Sequence, residues 1–166
     1  MPSFQTTHVV PYTAQQMFDL VADVEAYPEF LPLCEALRIR DRRQTAEGHP
    51  QLIADMTCGY KAIRETFTSR VTLKQPASQI LVEYIDGPFS HMHNTWHFEP
   101  IEPNRNGAGS AAHFYIDYAF KSRMLGMLVG AMFDRAFRRF LDAFETRAAE
   151  VYGNDRGHTR SATATS

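Results

Sequence analysis

The stretch Ser122–Val151, SRMLGMLVGAMFDRAFRRFLDAFETRAAEV, decides how this chain is read. Asp134, Arg138, Asp142 and Glu145 recur at i, i+4, i+8 and i+11 and mark a solvated stripe. Leu125, Val129, Met132, Ala136, Phe140 and Phe144 recur at helical spacing on the apolar side, with Phe133, Phe137 and Leu141 beside them. One long amphipathic helix is therefore predicted, opened by Ser122 as N-cap and ended by Gly153 just beyond it. At 1.5 Å per residue it would run about 45 Å, long enough to cross a whole sheet.

The first third of this helix is unusual. From Met124 to Phe133 no residue is charged, and Gly126 and Gly130 lie inside it, each costing about 1 kcal/mol relative to alanine. This end is expected either to be buried on both faces or to form the movable, greasy wall of an apolar ligand pocket or of its mouth. The segment is too short to span a bilayer.

Upstream, Ser3–Val10 alternates weakly and reads as a strand. Pro11-Tyr12 turns into a helix opened by Thr13, with Gln16 completing a capping box and Met17, Leu20, Val21 and Val24 on its apolar face. Glu25–Pro32 (EAYPEFLP) is expected to be a short helical turn or packed loop. Six strand-like segments follow: Ala36–Arg43, Gln51–Cys58, Lys61–Leu73, Gln79–Ile85, Ser90–Pro100 and Ala111–Phe120. They are separated by Gly48-His49-Pro50, Gly59, Gln75-Pro76, Asp86-Gly87-Pro88 and the loop Pro103–Gly109. Short turns between successive strands favour an antiparallel meander, so the class is α+β, with the long helix packed across a curved sheet. A single domain is expected over residues 1–153, with Asn154–Ser166 as a disordered tail rich in Ser, Thr, Gly and charge.

Composition narrows the function. The 166 residues are 44% apolar and 22% charged, with a formal net charge of −2. This is ordinary for a globular domain and gives no global attraction to nucleic acid or anionic lipid, though a local patch is not excluded. Cys34 and Cys58 have no metal-ligand spacing, and the N-terminus MPSFQTTHVV lacks a basic region followed by an apolar one. Reduced thiols and a cytoplasmic location are therefore expected.

Alternation assigns strand faces. Phe114, Ile116, Tyr118 and Phe120 share one face of the last strand, and Met92, Trp96 and Phe98 share one in the strand before, interrupted by Asn94. Ile63, Glu65, Phe67, Val71 and Leu73 are likewise in phase. Glu65 and Asn94 are polar on apolar faces, where an unpartnered group costs about 1–3 kcal/mol. Each is expected either to find a partner near a strand end or to anchor a ligand headgroup.

His91, His93 and His97 share the opposite, solvent-facing side from Trp96, and with no further ligand evident no metal site is expected. Nothing nominates a nucleophile, an acid/base pair or a phosphate loop, so the chain is read as a non-enzyme without cofactor. Arg38, Arg40, Arg42 and Arg43 read as a solvated surface, with anionic lipid headgroups or rRNA phosphates as the alternatives.

The block VPYTAQQMFDLVADVEAYPEFLPLC (Val10–Cys34) resembles the signature of the coenzyme Q-binding branch of the START-like, polyketide-cyclase-related superfamily. KAIRETFTSRV (Lys61–Val71), Asp86–Phe89 followed by Trp96 and Phe98, Phe120–Ser122 and AFETRAAEVYG (Ala143–Gly153) agree in the right order. The resemblance implies a helix-grip (START/Bet v 1-like) fold: an antiparallel sheet wrapped around the C-terminal helix, with a lipid-sized tunnel between them. It also implies non-catalytic binding of ubiquinone or a similar isoprenoid lipid in support of respiratory electron transfer, with peripheral contact at the inner face of the respiratory membrane. In this chain Met92 and Asn94 stand where the family usually has Leu and often Gly.

A quinone site needs a few hydrogen-bond donors and a greasy channel. Tyr118, Trp96, Asn94 and Glu65 are the candidate polar contacts. Phe98, Phe114, Ile116, Leu125, Leu128, Val129, Met132 and Phe133 are the candidate channel wall, and Met124, Met127 and Met132 would suit a flexible tail. The alternative function within the same family is a toxin-like factor that binds the large ribosomal subunit and blocks subunit association. A third is a polyketide aromatase or cyclase. No DNA partner is expected.

Overall fold

In the computed structural model, which describes the backbone of residues 3–104 and 107–153 and the side chains of these except 103, 104, 107 and 108, alternation and turn chemistry build one antiparallel sheet. Its strands are β1 (Ser3–Val10), β2 (Cys34–Gln44), β3 (Pro50–Tyr60), β4 (Ile63–Lys74), β5 (Gln79–Asp86), β6 (Phe89–Asn104) and β7 (Gly107–Phe120). The seven lie in the order β1-β7-β6-β5-β4-β3-β2. Six form the expected meander, and β1 closes it by pairing with β7 from Ser3↔Asp117 to Val10↔Ser110. Pairing of β6 with β7 runs on to Asn104↔Gly107, so the expected loop Pro103–Gly109 is largely strand. The expected tail, 154–166, lies outside the described residues.

Between β1 and β2 come helix α1 (Ala14–Ala22) and a 3-10 turn (Val24–Glu29). Thr13 and Gln16 form the reciprocal capping box, with Gln16 N–H to Thr13 Oγ1 at 3.0 Å and Thr13 N–H to Gln16 Oε1 at 2.9 Å. Met17, Leu20, Val21 and Val24 are all buried, as their spacing requires.

The C-terminal helix is not continuous. It divides into α2 (Arg123–Arg138) and α3 (Phe140–Ala148), with a final π turn over Ala149–Gly153. Ser122 caps it as expected, accepting the Leu125 N–H at 3.0 Å. The break falls at Arg139 (φ −102°, ψ −1°), whose N–H bonds to the Ala136 carbonyl at 3.0 Å. No glycine or proline adjoins it. Phe137 and Phe140 pack edge to face across it, centroids 5.3 Å apart, and Phe140 rests on Phe114 at 6.0 Å. The expectation for Met124–Phe133 is also corrected. Met124, Met127 and Leu128 are exposed, so this end is not buried on both faces; Met127 borders an open groove beside α2, and Phe133 is buried against the sheet.

Together, sheet and helices form the helix-grip arrangement. Phe144 of α3 packs edge to face on Tyr27, Phe30 and Trp96 at 5.1–5.3 Å. Outside this cluster Arg147 lies over the Phe30 ring at 5.1 Å and bonds Glu29 at 2.8 Å, while His8 Nδ1 meets Glu145 Oε1 at 3.1 Å and ties β1 to α3. The outer edge strand β2 carries Arg38, Arg40, Arg42 and Arg43, charges of the kind that keep an exposed edge from pairing with another chain.

Candidate ligand cavity

Inward-pointing residues of β2 to β7 line a cavity of about 80 Å³ that α2, α3 and the 3-10 segment close from the other side. The sheet contributes Ala54, Met56, Cys58, Phe67, Ser69, Val71, Val82, Met92, Asn94, Trp96 and Ile116. The helices contribute Phe133, Ala136, Phe137, Phe140 and Phe144. The remaining wall is Val24, Tyr27, Leu31, Pro32 and Leu33 with Leu37 of β2. Leu33, Leu37 and Phe140 are only half-buried and mark where the wall reaches the surface.

Two backbone features shape this wall. Leu33 sits in the left-handed region at φ 67°, a conformation costing roughly 1–2 kcal/mol for a residue with a Cβ. Its carbonyl accepts the Gly59 N–H at 3.0 Å, which ties the strained residue to β3. Gly87 turns β5 into β6 at φ 142°, and a Cβ there would stand 2.6 Å from Phe67 Cβ. Only glycine lets the hairpin lie against that wall residue.

Few polar groups reach the cavity, and most are already satisfied. Asn94 Oδ1 accepts the Trp96 indole N–H at 3.1 Å, and its Nδ2 donates to the Tyr115 carbonyl at 2.8 Å. The Tyr27 hydroxyl donates to the Val21 carbonyl, and burial, with the Cys34 and Asp23 charges adding to it, raises its pKa far above the phenol range. Burial likewise pushes the Cys58 thiol up to about 12 and Cys34 up to about 11, so both are uncharged near neutrality. The two are free, buried and directly opposite in the β2–β3 register. Ser69 differs: it is buried at 5% exposure, and its hydroxyl has no hydrogen-bond partner. An orphaned hydroxyl in an apolar wall costs about 1–3 kcal/mol and is relieved by an acceptor brought in from outside.

Of the residues expected at the site, Asn94, Trp96, Ile116 and Phe133 come together on this wall. Glu65 faces inward opposite Cys58 but stands beyond the cavity, half-exposed near the start of β4. Phe98 and Phe114 are buried further along their strands, where Phe98 packs on Phe18 and Phe114 on Phe4. Tyr118 packs between Phe89 and Phe137 and borders an open groove beside α2. Burial and the Asp134 charge push its phenol up to about 12. Val129 is buried without reaching the cavity, so a lysine there would disrupt the core instead of blocking a channel. Leu125 and Met132 flank the buried stripe half-exposed, and Leu128 points to solvent. His91, His93 and His97 do lie on the outer face, with His91 paired to Asp117 at 3.0 Å and His97 stacked on His113.

Besides Met92 of β6 and Ala136, Phe137, Phe140 and Phe144 of the helices, the lining residues that sequence reading missed come from the half of the sheet remote from β7 and from the segment between α1 and β2. The alternation Leu52, Ala54, Met56, Cys58 in β3 and the apolar EAYPEFLPL segment carried the signal for them.

Comparison with known proteins agrees with the fold. A family model described as polyketide cyclase / dehydrase and lipid transport matches residues 10–145. The chain is 34% identical over 154 residues to the ribosome association toxin RatA of Rickettsia prowazekii, covering 91% of this chain and 99% of that one. It is 26% identical over 151 residues to coenzyme Q-binding protein COQ10 homolog B, mitochondrial, of Xenopus laevis, covering 90% of this chain and 59% of that one. An 18 kDa protein of Caulobacter crescentus solved in solution superposes with a TM-score of 0.71 at 35% identity, covering 92% of this chain and 99% of that one.

Proposed function

Because the chain belongs to the polyketide cyclase / dehydrase and lipid transport family, we propose that it binds ubiquinone or a similar isoprenoid lipid between sheet and helices, without converting it, in support of respiratory electron transfer. The observation that carries this reading is the orphaned Ser69 hydroxyl in an otherwise apolar wall. A quinone brings two carbonyl acceptors on a ring and a long apolar tail, so one oxygen would accept a hydrogen bond from the Ser69 hydroxyl while the tail leaves past Leu33, Leu37 and Phe140. The cavity of about 80 Å³ is far below the roughly 300–1,000 Å³ of small-molecule sites. Uptake therefore requires the walls to part, and the flexible Met56 and Met92 side chains suit that adjustment. Among the described residues no Asp, Glu, His or Lys lines the cavity, which weighs against acid–base chemistry of the cyclase kind. No described helix is long and apolar enough to cross a membrane.

Mass spectrometry of organic extracts of the purified protein, against a size-matched control, tests this reading. Stoichiometric quinone supports it. An empty protein that also fails to take up added quinone overturns it.

A second reading is association with the large ribosomal subunit, favoured by the 34% identity to a ribosome association toxin. The surface it would use first is β2, although Arg40 lies 3.6 Å from Asp55, Arg42 lies 3.5 Å from Glu25, and Arg43 pairs with Asp41. Cosedimentation with large subunits that is lost at moderate salt would support it.

A further inference from the structure

The outward face of α2 changes character halfway along. At 100° per residue, Met124, Met127, Leu128 and Ala131 fall on one stripe, which continues as Arg135 and Arg138. The opposite stripe is buried against the sheet at Val129, Phe133 and Phe137. Met124, Met127 and Leu128 are 70%, 80% and 62% exposed. The other large exposed apolar side chains among the described residues, Val9, Ile85 and Val151, are scattered over separate elements. The three on α2 therefore form a patch, where isolated exposure would need no explanation.

Cations stand at both ends of the patch, and Asp134 at its far end is paired with Arg138. No acidic residue occurs between Asp117 and Asp134, while Lys121 and Arg123 stand at the head of α2 and Arg135 follows the patch. Arg138 is tied to Asp134 at 2.9 Å, but Lys121, Arg123 and Arg135 are exposed cations beside apolar surface. A cation in the first turn opposes the helix dipole, and α2 has no acidic residue there to offset it. Gly126 and Gly130 weaken the helix further. A Cβ at Gly130 would come no closer than 3.9 Å to Phe120, so close packing does not demand glycine there. The head of α2 is thus basic and greasy, with glycines that packing does not demand.

We propose that the first two turns of α2 dock on an anionic lipid bilayer. Met124, Met127 and Leu128 enter the boundary between headgroups and acyl chains, while Lys121, Arg123 and Arg135 meet lipid phosphates. Phe133 and Phe137, farther along the same helix but on its buried face, are cavity wall, so docking holds the helix that closes the cavity at a store of apolar molecules. The docking surface does not depend on which ligand the cavity takes.

Cosedimentation with sucrose-loaded vesicles of phosphatidylcholine, or of phosphatidylcholine with phosphatidylglycerol, tests the proposal on the full chain. The native protein should bind the anionic vesicles and release as salt rises. Binding should be about tenfold weaker on neutral vesicles and about tenfold weaker for Met127→Glu/Leu128→Glu. Circular dichroism of that variant should match the native protein, since both positions face solvent. If it does not fold, Lys121→Gln/Arg123→Gln supplies the test through a flattened salt dependence. Absence of native binding to anionic vesicles, or equal binding by the folded variants, overturns the proposal. So does a self-dimer or a large-subunit complex that forms through these side chains in its place. Vesicle binding by a protein that takes up no quinone would leave the docking surface standing while removing the quinone reading.

Discussion

The Asn94 carboxamide holds the Trp96 indole N–H at 3.1 Å with one end and the Tyr115 carbonyl at 2.8 Å with the other. A polar residue on an apolar strand face is thus consumed in orienting an aromatic cavity wall. Asn94→Leu would orphan a buried donor and a strand carbonyl together, and should destabilise the protein by about 2–4 kcal/mol. Urea unfolding followed by the fluorescence of Trp96, the single tryptophan, measures this. A loss below 1 kcal/mol would mean that water replaces both partners.

Ser69→Ala removes a hydroxyl that the folded protein leaves unpaired. Stability of the ligand-free protein should stay level or rise by up to about 1 kcal/mol, while quinone affinity should fall roughly five- to tenfold for one lost hydrogen bond. Titration monitored by Trp96 quenching reads the second effect. Unchanged affinity would remove Ser69 from the site.

Filling the cavity separates binding from folding. Ala136 is buried on the cavity wall of α2, and Ala136→Leu keeps a strong helix former while occupying the space. Quinone uptake should be lost, with thermal stability equal to or above the native value. Uptake at the native level would place the ligand elsewhere.

Alkaline pH should destabilise the fold. The folded-state values of about 11 for Cys34 and about 12 for Cys58 and Tyr118 lie above the ordinary thiol and phenol values. The unfolded chain therefore releases these protons first, from roughly pH 8.5 for the thiols and roughly pH 10 for the phenol, and stability falls as pH rises through that window. Unfolding midpoints measured from pH 7 to 11 should decline, and Cys58→Ala should flatten the decline above about pH 8.5. Below pH 8, iodoacetamide should alkylate both cysteines far more slowly in the native than in the urea-unfolded protein.

Strand faces, the Thr13 and Ser122 caps and the meander were legible because each depends on local spacing or a local hydrogen bond. Position along a strand was not. Alternation places Phe98, Phe114 and Ile116 on one side of the sheet, yet only Ile116 reaches the cavity, since depth depends on where the helices cross. Apolar residues on a helix do not announce which way they face, so Leu128 read as wall although it points to solvent. Ser69 sits in an ordinary strand sequence, and its lack of a partner exists only once its neighbours are in place. The break at Arg139 adjoins neither glycine nor proline, and the left-handed Leu33, although it follows Pro32, is not a residue type that marks that conformation.

The pairing of β1 with β7 also bears on how the chain is made. Every other strand pairs with one adjacent in sequence, but Ser3 must find Asp117. During synthesis β1 has no partner until β7 has emerged, so β2–β7 are free to form hairpins first and β1 adds last, at the greatest loop-closure cost. The chain's first strand is then the last to be ordered, and until it docks, the edge of β7 stays open to other strands.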